Sequence, residues 1–222
     1  MFIGHYGVAM ALKRAEPRTS LVTLTVGVLF LDILWLIFVA AGWEQVNIVP
    51  GFTAANPLEF VSYPLSHSLV AAVIWSVLVG TAYYSWPTRD TARHRQRTLI
   101  LMLAVFSHWP LDLIVHVRDL PLAGDDSLKL GLGLWRSIPA TLVVELLTLW
   151  GGAIFLMRGH SNQLRPNRFR LSLLAGMLTV LGLVSLVSPP PPSVRAMVLL
   201  SLGVTPILLL LIRWADRPRT AH

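Results

Sequence analysis

The chain has 222 residues, of which 55% are hydrophobic and only 13% charged, with a mean hydropathy of +0.65; a soluble domain carries roughly 25% charged residues. That balance calls for lipid as solvent and leaves no polar stretch long enough for a separate soluble domain, so residues 1–222 read as a single integral membrane domain. There is no cysteine, which excludes disulfide-linked partners, thiolate metal sites, iron–sulfur clusters and cysteine nucleophiles.

Residues 2–13 are apolar but too short to span, and they end at a basic turn around Lys13, Arg14, Pro17 and Arg18. They predict a half-helix folded back as a hairpin. Counted from a turn near residue 17, His5 and Asp32 lie roughly 12 and 15 residues along the two arms, within about 5 Å of the same depth. No removable signal peptide is expected over residues 1–19, which contain a histidine and several charges.

Six apolar segments follow, at about 21–42, 68–86, 98–117, 138–157, 171–188 and 194–214. The expected fold is an all-α, polytopic membrane helix bundle of about six transmembrane helices plus the short N-terminal half-helix. The connections alternate in charge. Lys13, Arg14 and Arg18, then Arg89, Arg93, Arg95 and Arg97, then Arg158, Arg165, Arg168 and Arg170, and finally Arg213, Arg217 and Arg219 share one side. The other side has Arg118, Lys129, Arg136 and Arg195, with the acids Glu44, Glu59, Asp119, Asp125 and Asp126. By the positive-inside rule both termini are cytoplasmic, in a bacterial-type inner (plasma) membrane. The net charge of +7 is thus a matter of topology and of anionic lipid headgroups, and a nucleic-acid partner loses its main support. Pro189 to Pro192 form a stiff external turn.

Ionisable groups inside a span cost several kcal/mol by insertion scales and are functional candidates by default. Here they are Asp32, His108, Asp112 and Glu145, with His67 and His116 at external ends and His5 in the half-helix. On the third span His108, Asp112, His116 and Asp119 fall at about 0°, 40°, 80° and 20° around the helix, a single stripe on an apolar surface. Residues four apart can share an ion, because imidazole nitrogen and carboxylate oxygen both reach zinc at about 2.0–2.2 Å. His108 and His116, separated by about 12 Å of rise, need a kink at Pro110, two ions, or a division between ligand and supporting residue. The alternative for the stripe is a proton relay or an interhelical hydrogen-bond network. Alone, His67 reads as an interfacial histidine at a helix start capped by Ser66, and Glu145 as a partner for a neighbouring helix, Arg136 or Arg118. His94, His160 and His222 lie in basic connections or the tail and read as solvated. Trp35, Trp109 and Trp135 lie near the polar candidates, where they either wall a pocket or pack.

In order along the chain, Gly4-His5, Leu31-Asp32, Ser66-His67-Ser68, and Ser107-His108 through Asp112 and His116 resemble the YdjM-like, DUF457 family of predicted inner-membrane metal-dependent hydrolases. The likeness covers roughly the first 150 residues. Commoner members carry Pro-Asp-x-Asp and His-Arg-Gly-x-Thr-His-Ser; a single Asp32 and the shorter Tyr63-Pro64-Leu65-Ser66-His67-Ser68 make this a divergent branch. The resemblance implies metal-dependent hydrolysis.

The expectation is therefore a divalent metal ion, zinc first, held by His5, Asp32, His67, His108, Asp112 and His116. Asp112 or Glu145 would act as general base, and Arg118 or Arg136 would steady a developing oxyanion or phosphate. A lipid-like or phosphoester substrate would approach from the external face. A proton- or divalent-cation-coupled transporter or channel would use the same stripe.

Overall fold

A computed structural model of the protein describes residues 1–88, 91–159 and 167–217. Arg89, Arg165, Arg219, His160 and His222 lie outside them. Helix α1 (Gly4–Ala15) is followed by α2 (Leu21–Val28) and α3 (Phe30–Ala40), then by the strands β1 (Gln45–Ile48) and β2 (Leu58–Ser62). Next come α4 (Pro64–His67), α5 (Leu69–Tyr84), α6 (Thr91–Val115), β3 (Leu120–Pro121) and β4 (Lys129–Leu130). A short 3-10 turn at Leu134–Arg136 leads into α7 (Ile138–Met157), α8 (Arg168–Val187) and α9 (Val194–Asp216).

Four described helices are long and apolar enough to cross a membrane: Arg93–Val115 within α6, and all of α7, α8 and α9. The expected first span is broken, since α2 and α3 meet at 54°, and counting them as one crossing brings the number to five. The expected second span is α5, whose 16 residues reach about 24 Å and fall short of a hydrocarbon core of about 30 Å. The described helices thus give four spans, or five with the broken pair, and a count of about six is not confirmed. The lipid-facing surfaces are nonetheless apolar on every side, with Val73, Ile74, Val77, Leu147, Leu200 and Leu210 exposed. A chain with such a surface is a membrane protein.

Helix starts follow their caps. Ser20, Ser68, Ser137, Asn167 and Ser193 each accept from a backbone N–H three residues on, at the heads of α2, α5, α7, α8 and α9. Ser68, not Ser66, caps the helix after His67. The two acidic connections are not purely helical. β1 and β2 pair antiparallel with Val46 opposite Phe60, and β3 pairs β4 with Leu120 opposite Leu130, so their apolar residues pack onto the bundle as lids.

The half-helix α1 lies inside the bundle against α2, α6 and α7. Gly7 of α1 and Gly152 of α7 meet so closely that a Cβ on either would overlap the other helix's backbone, the small-residue contact that lets membrane helices approach. On the basic side Lys13 pairs with Asp216 at 3.1 Å and donates to the Thr19 carbonyl at 2.9 Å, and Arg97 faces Glu16 at 3.8 Å. These contacts pin the turn between α1 and α2. One apolar core on that side joins Tyr6, Met10, Leu24, Val28, Ala104 and Leu149; another, beneath the hairpins, joins Leu31, Trp35, Tyr63, Val105, Trp109 and Leu120. The two cores adjoin along α1, α3 and α6 at His5, Asp32 and His108.

Candidate metal centre

The polar side chains arrive from separate stretches of the chain. α1 brings His5, α3 brings Asp32, α4 brings His67, and α6 brings His108 and Asp112, with His116 one residue past its end. All but Asp32 are buried, at 0–3% exposure; the Asp32 side chain, 40% exposed, opens on a cavity. The break between α2 and α3 serves the cluster directly. Val28 ends α2, so its carbonyl has lost a full turn of following donors, and it accepts from His108 Nδ1 at 2.7 Å.

A carbonyl only accepts, so His108 carries its proton on Nδ1 when neutral, and Nε2 is bare. The same logic holds for His67. Its Nδ1 lies 2.7 Å from Ser66 Oγ, and that hydroxyl is itself committed as donor to Glu44 at 2.6 Å. His116 Nδ1 lies 3.0 Å from Asp119 and 3.3 Å from the Tyr63 hydroxyl. Three imidazoles thus tie down Nδ1 outwards and turn Nε2 inwards, the arrangement in which metal-binding histidines are held.

The inward atoms converge. His108 Nε2 is 3.2 Å from His67 Nε2, 3.5 Å from Asp32 Oδ1 and 3.1 Å from Asp112 Oδ2. His67 Nε2 is 3.5 Å from Asp32 Oδ1 and 3.6 Å from Asp112 Oδ2. Ligand atoms around a tetrahedral zinc at about 2.0–2.2 Å stand about 3.3–3.6 Å apart; the three separations of 3.5–3.6 Å match such edges, and the His108 contacts to His67 and Asp112, at 3.2 and 3.1 Å, are slightly shorter. Two bare nitrogens facing each other repel unless a cation or proton lies between them.

His5 stacks on His108 with ring centroids 4.2 Å apart, and its Nε2 is 3.7 Å from Asp112 Oδ1. Among the described residues neither ring nitrogen of His5 has a hydrogen-bond partner, although the ring is wholly buried; a buried polar atom without a partner costs about 1–3 kcal/mol. Two triads are able to hold an ion, His5–Asp32–His108 and His67–His108–Asp112. They share His108, whose Nε2 has one lone pair and so serves one ion at a time. His116 stands outside both. Its Nε2 approaches Asp112 Oδ2 only to 3.7 Å, and Phe60 and Trp135 flank its ring at centroid distances of 4.8 and 4.3 Å.

Glu145 takes the role of partner to a neighbouring helix, not to Arg136 or Arg118. Its carboxylate accepts from the N–H of Phe2 at 2.7 Å and of Gly4 at 2.6 Å, and so caps α1, whose own N-cap residue supplies no side-chain bond. The N-terminal ammonium of Met1 pairs with Asp112 Oδ1. Arg118 and Arg136 are exposed, and neither lines the cavity beside the cluster. That cavity, of about 350 Å³, runs from Asp32, His67, Asp112 and His116 past Trp35 and Trp135 to Leu142 on α7, Gly182 and Leu186 on α8 and Ser201 on α9. Ala55 to Pro57, in the connection between β1 and β2, and Leu58, the first residue of β2, line it as well.

Glu44 is a site residue that the sequence pattern did not single out, and Ser66 and Tyr63, which that pattern holds only as motif neighbours of His67, contact the histidine rings. Glu44 is 2% exposed, and burial pushes its carboxyl above the usual range, against the opposing effect of the bonds from Ser66. Burial, then the neighbouring Asp119 charge, holds the Tyr63 hydroxyl well above its ordinary value. The only prior sign of Glu44 was its place among the external acids. No family model, curated protein or solved structure matches the chain.

Proposed function

We propose that the protein is a membrane-embedded, metal-dependent hydrolase with one divalent ion, zinc first, acting on a lipid-like ester or phosphoester that enters from the external face of a bacterial-type inner membrane. The observation that carries this is the convergence of the bare Nε2 atoms of His67 and His108 with Asp32 and Asp112 at 3.1–3.6 Å, beside the unpartnered His5. The order of motifs that resembles the YdjM-like family supports the same class. Bound there, a divalent cation supplies Lewis acidity and brings the pKa of water towards neutrality.

The chain's own residues do the rest. A mixed wall on α7, α8 and α9, with Leu142 and Leu186 beside Gly182, Thr141, Ser185 and Ser201, takes the substrate's tail. Among the described residues no lysine or arginine lines the cavity, so charge developing on the substrate is met at the His/Asp cluster. His116, backed through Nδ1 by Asp119, faces the cavity with Nε2 and is the natural proton carrier. Water adds to the carbonyl or phosphorus while Nε2 takes its proton. The ester bond then breaks and the proton passes to the leaving alkoxide, giving an acid and an alcohol. A conduction path is less well supported, because the apolar core of Leu24, Val28, Ala104 and Leu149 separates the cluster from the basic side.

The test is an assay of detergent-purified protein on a medium-chain p-nitrophenyl ester and a p-nitrophenyl phosphodiester. Turnover of at least one, lost with chelator and restored by zinc, is expected. Absence of turnover on both, with zinc bound, would set hydrolysis of these classes aside.

A further inference from the structure

We infer that Glu44 and Ser66 are positioning residues for His67, a relay from the external hairpin that fixes which imidazole nitrogen faces the metal; this rests on the metal centre proposed above. Glu44 lies just before β1, while Ser66 and His67 lie in α4, and the three are 0–2% exposed. The carboxylate accepts the Ser66 N–H at 2.8 Å and the Ser66 hydroxyl at 2.6 Å. With its one proton given to Glu44, Ser66 Oγ is left as acceptor, and His67 Nδ1 at 2.7 Å must be the donor. The chain Glu44···H–Oγ Ser66···H–Nδ1 His67 therefore runs in one direction.

A serine beside a histidine and an acid also suggests a nucleophile, but the geometry opposes it. Ser66 is wholly buried and does not line the cavity, whereas His67 does. Its hydroxyl, moreover, faces Nδ1, the side of the ring away from Asp32 and Asp112. The relay orients and polarises a ligand, and removal of such support typically weakens metal binding 10- to 100-fold.

The experiment titrates zinc into detergent-purified, metal-free full-length protein, with cobalt(II) absorption as a second reading of coordination, for wild type, Glu44→Gln, Ser66→Ala and Asn47→Ala. The last removes an exposed hairpin bond from Asn47 to Glu59 at 2.9 Å and controls for loosening of the hairpin. About 10- to 100-fold weaker zinc binding and an altered cobalt spectrum are expected for Glu44→Gln and Ser66→Ala, with Asn47→Ala unchanged. Equal affinity in all four, or equal loss in the control, overturns the relay while leaving the metal centre standing. A wild type that binds no zinc overturns both. Should neither variant fold, nitrogen-15 histidine spectra of the metal-free wild type decide. A proton on His67 Nδ1 is expected, and a proton on Nε2 alone would overturn the relay.

Discussion

Gly7 and Gly152 meet backbone to backbone, and that contact sets how deeply α1 carries His5 into the bundle. Either glycine replaced by alanine drives a methyl group into the facing helix, at a cost of about 1–3 kcal/mol for overpacking. Gly7→Ala and Gly152→Ala should lower the melting temperature and weaken metal binding together, because α1 must retreat. Gly151→Ala, with nothing within 4 Å of its new Cβ, should do neither. Thermal scans with parallel zinc titrations check this.

Glu145 is assigned a capping role, with its two oxygens on the N–H groups of Phe2 and Gly4. Glu145→Ala leaves those donors unmet and should cost about 1–3 kcal/mol of stability while the protein still takes up its ion. A variant that folds normally and loses the ion would instead make Glu145 a ligand.

His116 stands outside both ligand triads and faces the cavity. His116→Gln should keep the metal and lose about 10²- to 10⁴-fold in kcat, the usual contribution of a positioned proton carrier. Loss of the ion in this variant would return His116 to the ligands.

Leu142, Gly182 and Ser201 line the cavity on helices that supply none of the cluster's His and Asp side chains. Ser201→Trp fills part of it. KM for a long-chain ester should rise about tenfold or more, the effect of losing a few buried methylenes at about 0.8 kcal/mol each, while KM for an acetyl ester and the metal content stay as they were. Equal effects on both esters would remove the tail from this cavity.

The polar cluster was legible because lipid punishes ionisable groups, which makes each buried histidine and aspartate conspicuous. The return of α1 was legible from its length and basic turn. The break in the first apolar segment was not. The break after Val28 follows Gly27 in a run without proline, and what it serves is tertiary, the bond from His108 to the Val28 carbonyl. The hairpins escaped notice because β1 to β4 are two to five residues long, too short for a period to show. Glu44 looked like any external acid, since its partner Ser66 is 22 residues on and only the fold joins them. Arg118 drew attention by proximity in sequence to His116, yet it follows the end of α6 and turns to solvent.

Metal content of protein purified without chelators tests the centre most directly. One divalent ion per chain is expected, falling to less than about a tenth in His108→Ala and Asp32→Ala, with chelation lowering stability by about 4 kcal/mol where the free ion had stood at a thousandfold its Kd. A folded wild type with no stoichiometric metal would contradict the centre, and two ions per chain would contradict the single shell built around His108.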